Sequence, residues 1–342
     1  MKTDDTPISG GMNTSSLLGE FDAVLSDLDG VVYAGAQAIP GAVEALEAVE
    51  KLGIGLGYIT NNASRTPDAV AEHLRELGAP ATAQQVFGSA RAGAGLLADR
   101  LAVGSKVLVI GSAALADEVA AKGFLLVDGA ADQPDAVIQG FSPELGWKDL
   151  AEAAFAINAG ALWVATNTDL TIPVARGIAP GNGSLVAAVA QAVNVAPLVA
   201  GKPEATMFLL AAKALKARRP LVIGDRLDTD ILGGNNAQMS TALVLTGIDT
   251  AQSALAARTS ERPNYLLENL FGLHQPYLLP TLEGKSWHCG EGSATVANDV
   301  LEIRGDRQDL NSWRAGCAAW WQAWPNLESA KTPEIRWLTK LD

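Results

Sequence analysis

Apolar and polar positions alternate between strand-like and helix-like spacing along most of the chain. DAVLS (22–26) predicts a buried strand, PGAVEALEAVEKLG (40–53) a helix with one apolar face, and IGLGYITNN (54–62) a strand that ends in a polar turn. TPDAVAEHLRELG (66–78) predicts a second helix of the same kind. Strands and helices in this order are typical of a parallel sheet with helices on both faces.

The pattern continues with different content over the middle of the chain. The predicted strands there are KVLVIG (106–111), FLLV (124–127), AVIQG (136–140) and ALWVATN (161–167). Helices are predicted at about 89–102, 113–122, 147–159 and 184–194. This block is long enough to form an α/β domain of its own.

The last part of the chain changes character. Residues 197–247 return to strand, loop and helix units, and after residue 276 prolines and tryptophans become frequent. We predict a hairpin at 286–304, a helix at 308–324 and a closing strand at 334–340. On that helix Trp313, Cys317, Trp320 and Trp324 recur at helical spacing, which predicts a packed apolar face rather than a binding surface.

These patterns predict the fold class and a division into domains. The fold class is α/β, with a doubly wound, Rossmann-like parallel-sheet core, an inserted α/β domain and a small α+β C-terminal domain. The predicted boundaries are a disordered lead-in at 1–19, a discontinuous core at 20–88 and 197–272, an inserted domain at 89–196 and an accessory domain at 276–342.

Composition excludes several classes of partner. The formal net charge is −13 and no basic stripe occurs, so we expect neither a nucleic acid nor an anionic membrane as partner. The two cysteines do not suggest a disulfide framework, and the three histidines are scattered, which weakens any histidine-based mechanism. The polar, acidic first twenty residues lack the apolar stretch of a signal peptide, so we expect a cytoplasmic location.

Candidate chemistry begins with two aspartates directly after the first strand. Asp27 and Asp29 lie two positions apart, so an extended backbone directs both carboxylates to one side. Two adjacent carboxylates repel each other unless a proton or a cation intervenes. A calcium loop that starts at Asp27 is excluded because Val31 and Ala38 stand where oxygen ligands are needed.

Three further segments follow predicted strands and supply groups suited to a phosphate. YITNN contributes Thr60, Asn61 and Asn62, whose hydroxyl, amides and backbone N–H groups suit an oxyanion. AGKPE contributes Lys202 in a turn, and VIGDRLDTDI contributes Asp225 and, five residues later, Asp230. Each segment alone is a weak signal, whereas four in this order at strand ends are specific.

These four segments, DLDG, TNN, GKPE and GDRLDTDI, resemble the four motifs of haloacid dehalogenase (HAD) superfamily phosphatases. The similarity covers about residues 20–250. The branch with a type II α/β cap between the second and third motifs, that of p-nitrophenyl and phosphoglycolate phosphatases, is similar in layout. The similarity is strongest to actinobacterial glycerol-3-phosphate phosphatases, which also carry an extra C-terminal domain.

The resemblance implies a role for each matching residue. Asp27 would be the nucleophile that forms an aspartyl-phosphate, and Asp29 would protonate the leaving alcohol and later activate water. Mg²⁺ would be held by Asp27, the backbone carbonyl of Asp29 and Asp225, with Asp230 orienting this metal shell. The implied phosphoryl contacts are Gly30, Thr60, Asn61 and Lys202.

The resemblance also implies a small-molecule phosphate ester as substrate and allows a homodimer. Glycerol 3-phosphate is the favoured substrate, and 2-phosphoglycolate, pyridoxal phosphate and sugar phosphates are the alternatives. DLTIPVAR (169–176) is similar to the cap segment that faces the substrate, so Asp169, Ile172 and Arg176 are candidates for contacts to the leaving group.

Three other function classes share part of this pattern. A phosphomutase would use the same chemistry with a sugar phosphate as acceptor in place of water. A phospho-accepting receiver domain also uses aspartates, a hydroxyl residue and a lysine, but it places its acceptor on a middle strand and has no lid. A dinucleotide-dependent oxidoreductase is disfavoured because GIGLG (53–57) leads into a strand rather than opening a helix.

Overall fold

The computed structural model describes residues 16–174 and 176–338, with the backbone alone at 173 and 174. In chain order the strands are β1 (Ala23–Ser26), β2 (Tyr33–Ala34), β3 (Gln37–Ala38), β4 (Gly55–Thr60), β5 (Val86–Gly88), β6 (Lys106–Ile110), β7 (Leu125–Val127), β8 (Ala136–Gln139), β9 (Leu162–Ala165), β10 (Thr171–Val174), β11 (Gly177–Pro180), β12 (Leu198–Val199), β13 (Pro220–Gly224), β14 (Ser240–Val244), β15 (Tyr265–Leu267), β16 (Thr281–Glu283), β17 (Ser286–Cys289), β18 (Gly292–Ala297), β19 (Val300–Arg304) and β20 (Glu334–Leu338).

The α-helices are α1 (Ala42–Lys51), α2 (Pro67–Glu76), α3 (Ser89–Ala98), α4 (Ala113–Ala120), α5 (Trp147–Asn158), α6 (Asn182–Ala190), α7 (Thr206–Leu215), α8 (Leu232–Asn236), α9 (Ala251–Ala256) and α10 (Leu310–Ala323). No helix in the described ranges is both long and apolar enough to span a bilayer.

The first sheet is parallel and has the order β15-β14-β13-β1-β4-β5. Its central strand β1 is buried along its whole length and pairs with β13 on one side and β4 on the other. Strands covered on both faces need apolar residues at every position, which explains the continuous apolar run at 23–25. The predicted doubly wound α/β core is confirmed.

The second sheet is also parallel and has the order β12-β9-β8-β6-β7. This sheet belongs to the predicted inserted domain, the cap. The antiparallel hairpin β10–β11 forms a separate two-stranded sheet, which in the chain lies between β9 and α6. We predicted that residue 197 begins the core, but β12 pairs with β9 and therefore extends the cap sheet. The chain therefore returns to the core only after Val199, the last residue of β12. The other domain boundaries remain predictions.

The third sheet lies near the C-terminus and has the order β16-β17-β18-β19-β20. The single hairpin predicted at 286–304 is wrong, because β17, β18 and β19 form an antiparallel meander there. Both of its turns are tight and use residues with positive φ, Gly290 in the first and Asn298 and Asp299 in the second. The closing strand β20 pairs in parallel with β19.

The C-terminal sheet and α10 cover one edge of the core sheet. The backbone N–H of Leu266, in edge strand β15, donates to the Tyr277 hydroxyl (3.1 Å), and its carbonyl accepts from Arg314 Nη2 (2.7 Å). α10 packs on α9, where the Trp321 Nε1–H donates to the carbonyl of Leu255 (3.2 Å). An edge strand with unpaired backbone N–H and C=O groups can pair with another chain and aggregate. These contacts satisfy such groups on the edge strand β15.

The start of the described chain corrects one expectation. Residues 1–15 of the predicted disordered lead-in lie outside the described residues, but Leu17–Glu20 forms a 3₁₀ turn. Leu17 and Leu18 are buried in the core cluster, and the Leu17 N–H donates to the carbonyl of Gln275 (2.9 Å). Apolar contacts therefore order the last residues of that segment.

We predict that Trp320→Ala lowers the free energy of unfolding by about 3–5 kcal/mol, because the Trp320 side chain is fully buried between α9 and the third sheet. Urea unfolding followed by far-UV circular dichroism measures the change. Trp147→Ala is the matched control, since Trp147 is 79% exposed and its loss should change stability by about 0.5 kcal/mol at most. Equal destabilisation by the two variants would contradict the assignment of Trp320 to the core.

Candidate active site

The site lies where neighbouring core strands end. β1 runs into Asp27, whose backbone N–H still pairs with the carbonyl of Ile223 (2.8 Å). β4, beside β1, ends at Thr60, and β13, on the other side of β1, runs into Asp225. Because carboxyl ends of parallel strands meet at one edge of a sheet, motifs far apart in the chain meet here.

Three carboxylates form a buried cluster at this edge. One oxygen each from Asp27, Asp225 and Asp230 lies within 4.8 Å of the others. The side chain of Asp27 is 12% exposed, Asp225 is 2% exposed and the side chain of Asp230 is 1% exposed. Water therefore screens their mutual repulsion poorly.

Lys202 supplies positive charge to this cluster. Its buried Nζ lies 2.5 Å from Asp27 Oδ1 and 2.6 Å from Asp230 Oδ1. Burial alone would lower the pKa of Lys202, but the attraction of Asp230 and Asp27 outweighs it and raises the pKa above its usual value. Lys202 was predicted as a phosphoryl contact, and it also bridges two carboxylates.

One lysine does not balance three carboxylates. Burial, opposed by Lys202, raises the pKa of Asp27 to about 6 and that of Asp230 to about 7. Burial together with repulsion from Asp230 raises the pKa of Asp225 to about 6. When all three are ionised, the cluster keeps two uncompensated negative charges. These oxygens suit a hard divalent cation such as Mg²⁺, so the donor set fits the predicted metal, and Asp230 belongs to the cluster itself.

A segment that sequence reasoning missed holds the metal-site carboxylate in place. After β14 the chain turns so that the Ile248 N–H donates to Asp225 Oδ2 (2.8 Å) and the Thr246 hydroxyl donates to the carbonyl of Gly30 (2.6 Å). At Gly247 a Cβ atom would lie 2.0 Å from Asp225 Oδ2, which requires glycine. The available signal was a glycine three residues after the end of strand β14.

Gly30 is a correction to the predicted phosphate contacts. Its φ is +79°, and a Cβ there would lie 2.4 Å from Asp225 Oδ2. Its N–H already donates to the carbonyl of Tyr33 (2.8 Å) and is not directed at a ligand. Gly30 therefore makes room for Asp225 and closes the turn after Asp29.

Asp29 lies outside the buried cluster and remains accessible to solvent. Partial burial raises the pKa of its carboxyl group, against the opposing effects of Lys202, Arg65 and His73 and of a hydrogen bond with Tyr33. The backbone of Tyr33 bridges to that of Asp29. A carboxyl group with a raised pKa and access to solvent is suited to hand over a proton. Tyr33 was also missed from the sequence.

Asn61 joins the second motif to two other segments. Its side-chain Oδ1 accepts from the backbone N–H of Lys202 (2.8 Å), and Nδ2 donates to the carbonyl of Lys202 (3.2 Å) and to both carboxylate oxygens of Asp169 (3.1 Å each). The side-chain amide is therefore occupied, and a phosphoryl contact from Asn61 stays a prediction for its backbone N–H. Thr60 is buried at the end of β4, and its hydroxyl oxygen accepts from the Asn62 N–H (3.1 Å).

The three cap candidates lie in different surroundings. Asp169 reaches the core through Asn61, whereas Ile172 is half-buried and faces Gly181 within the cap. Arg176 is exposed in the turn between β10 and β11. A different arginine, Arg226, was not singled out from the sequence: its hydrogen bond with Asp228 raises its pKa most, and attraction by Asp169 adds to that rise.

Family models match both parts of the core. Residues 24–125 match a family described as haloacid dehalogenase-like hydrolase, and residues 199–273 match one described as HAD-hydrolase-like. The chain belongs to the haloacid dehalogenase-like hydrolases.

Similar proteins extend this result. The chain is 46% identical over 313 residues to D-glycerol 3-phosphate phosphatase of Mycobacterium tuberculosis, covering 90% of this chain and 88% of that protein. A crystal structure of glycerol phosphate phosphatase from that organism, in complex with magnesium, is similar with a TM-score of 0.85 and 42% identity over 95% of each chain. A thermostable NPPase from Geobacillus stearothermophilus is similar with a TM-score of 0.68 and 34% identity, over 73% of this chain and 97% of that one.

We predict that Mg²⁺ stabilises this protein near pH 7.5 and has little effect at pH 5. The three carboxyl groups have pKa values near 6–7 when folded, against 3.8 for a free aspartate, so the folded chain binds more protons at intermediate pH. Metal-free stability therefore falls as pH rises through about 4–7. Saturating Mg²⁺ should then raise the Tm at pH 7.5 by about 3 °C or more.

Thermal unfolding with EDTA or Mg²⁺ measures this difference. Asp225→Asn should raise the metal-free Tm at pH 7.5 and remove the response to Mg²⁺. The control is Asp228→Asn, because Asp228 lies in the same loop but is exposed and pairs with Arg226. A response to Mg²⁺ that survives in Asp225→Asn would contradict the assignment of the cluster.

Proposed function

We propose that this protein is a Mg²⁺-dependent phosphatase that hydrolyses glycerol 3-phosphate to glycerol and phosphate through an aspartyl-phosphate intermediate. The main support is the buried cluster of Asp27, Asp225, Asp230 and Lys202 at the strand ends. The substrate rests on the 46% identity to the mycobacterial phosphatase of that name.

Asp27 is the proposed nucleophile. One of its carboxylate oxygens forms a bond to phosphorus while the bond from phosphorus to the glycerol oxygen breaks. Asp29, the carboxyl group with solvent access, gives its proton to that departing oxygen. In the second step, ionised Asp29 takes a proton from water, and the resulting hydroxide attacks phosphorus. The bond from phosphorus to the Asp27 oxygen breaks, which releases phosphate and restores the Asp27 carboxylate. The two steps together consume one water molecule.

Charge neutralisation is the main requirement of this reaction. A carboxylate and a phosphate dianion repel each other, and Lys202 offsets part of that repulsion from its position beside Asp27. Asp27, the Asp29 carbonyl, Asp225 and Asp230 are the proposed surroundings of Mg²⁺, which, when bound, supplies the remaining positive charge. Thr60, the backbone N–H of Asn61 and Lys202 are the proposed phosphoryl contacts.

The cap is proposed to select the leaving group. Asp169 lies at the interface of cap and core and is suited to accept hydrogen bonds from glycerol hydroxyls. Ile172 and Arg176 stay candidates in the same segment. Closure of the cap over the strand ends favours small phosphate esters because a polymer does not fit beneath it. The cytoplasmic location and a homodimer stay predictions.

We expect Asp27→Asn to abolish phosphate release from glycerol 3-phosphate, because an amide oxygen is a poor nucleophile. Phosphate release in the presence of Mg²⁺ measures this, with Asp228→Asn as the control from the exposed part of the fourth motif. Comparison of kcat/KM for glycerol 3-phosphate, 2-phosphoglycolate, pyridoxal phosphate and sugar phosphates tests the substrate. Isomerised sugar phosphate in place of free phosphate would identify a phosphomutase.

We expect Asp29→Asn to slow hydrolysis of glycerol 3-phosphate by about 10²–10⁴-fold, the usual contribution of a general acid or base. The loss should be smaller for p-nitrophenyl phosphate, because nitrophenolate leaves without being protonated. The ratio of the two kcat/KM values in the variant and the parent protein isolates the proton transfer to the leaving group, because kcat/KM does not include the later hydrolysis of the aspartyl-phosphate. Equal losses on both esters would contradict the role of Asp29 as the acid.

A further inference from the structure

The loop after β4 is the place where the cap touches the catalytic core through its backbone. The carbonyl oxygen of Asn61 accepts from Ser89 Oγ (2.6 Å), at the start of α3 directly after the core strand β5, and from the cap side chain Asn167 Nδ2 (2.8 Å). Two residues further on, the carbonyl of Ala63 accepts from the cap residue Ser112 (Oγ, 2.9 Å). The cap is therefore anchored to the same loop that carries the second motif.

The side chain of Asn61 links this loop to the backbone of Lys202, the lysine of the charge cluster. Its amide bonds both backbone groups of Lys202, as a neighbouring strand would. The fit is tight at the preceding Gly201, where a Cβ atom would lie 2.5 Å from the carbonyl oxygen of Thr166 and 2.6 Å from Asn61 Oδ1. A shift of Asn61 would therefore move the backbone from which the Lys202 ammonium reaches Asp27 and Asp230.

Asn167 is the cap residue best placed to control Asn61. It is 5% exposed. Its side-chain Oδ1 accepts from the Asp169 N–H (3.2 Å), and its backbone carbonyl accepts from Asn182 Nδ2 (2.7 Å). The other side-chain group, Nδ2, donates across the interface to Asn61. A buried donor with one partner is costly to displace, so this bond fixes cap and core relative to each other.

We propose that Asn167 is a positioning residue that couples closure of the cap to the placement of Lys202, acting through the carbonyl group and the side chain of Asn61. The inference builds on the proposed phosphatase function. It adds that the cap helps to assemble the phosphoryl site, and that its role goes beyond covering the leaving group.

Asn167→Asp tests this bond by replacing the donor opposite the Asn61 carbonyl, and because it also adds a negative charge, the uncharged variant Ser89→Ala must change phosphate binding in the same direction. The carboxylate keeps an oxygen for the Asp169 N–H, but it places an acceptor instead of a donor opposite the Asn61 carbonyl. Inorganic phosphate serves as the probe, because it occupies the phosphoryl site without a leaving group. Calorimetric titration with Mg²⁺ present should show its Kd raised about tenfold, the order of one lost buried hydrogen bond, and kcat for glycerol 3-phosphate should fall similarly.

Asn158→Asp is the matched control, since the Asn158 amide donates to Ala192 (3.0 Å) wholly within the cap and should leave both values unchanged. Ser89→Ala removes the other donor to the Asn61 carbonyl and should also weaken phosphate binding. This variant carries the test if Asn167→Asp does not fold, as judged by circular dichroism.

Two outcomes would overturn the inference. One is an unchanged phosphate Kd with a raised KM for glycerol 3-phosphate, which would limit Asn167 to shaping the leaving-group pocket. The other is no change in any of these quantities. Failure of the proposed function would look different: the parent protein would hydrolyse no ester of the panel, while the phosphate titrations would still compare the parent with its variants.

Discussion

The excess of buried negative charge at the end of β1 is the constraint on which the rest of the site depends. Asp27, Asp225 and Asp230 converge within 4.8 Å, and Lys202 compensates only one of the three charges. Buried charges of one sign raise the free energy of the folded state unless protons or cations neutralise them. The site is therefore electrostatically incomplete at neutral pH without a divalent cation, and that same deficit is what a metal-assisted attack on a phosphate requires.

Close backbone packing and hydrogen bonds hold the buried carboxylate of Asp225 in place despite the repulsion within the cluster. Glycines at 30 and 247 allow the backbone to approach Asp225 more closely than any side chain would permit. The Ile248 N–H and the Thr246 hydroxyl then tie the loop after β14 to Asp225 and to the turn after Asp29. α9 follows this loop and packs on α10, so the C-terminal module supports the metal-binding end of the core as well as covering its edge strand.

The sequence predicted those features that local patterns encode. Asp27, Thr60 and Asp225 stand at the ends of neighbouring core strands, so their meeting at one sheet edge follows from parallel topology. Lys202 instead follows β12 of the cap sheet, so this rule does not account for its place in the cluster. The partners of these residues were not predictable in the same way. Thr246 and Gly30 are 216 positions apart, and no spacing rule links them. Gly30 was predicted as a phosphate contact because motif matching identifies positions, whereas the hydrogen-bond partners decide which groups remain free.

The hydrogen bonds between cap and core support the proposal that the inserted domain takes part in the chemistry. Had the cap merely covered the site, its contacts would lie around the rim. Instead Ser89 and Asn167 both donate to the carbonyl of Asn61, whose side chain brackets Lys202. Removal of the cap would leave that carbonyl without the Asn167 donor and the lysine backbone less constrained. Selection of the leaving group and assembly of the phosphoryl site therefore share one loop, and a change in the cap that alters specificity is expected to alter turnover as well.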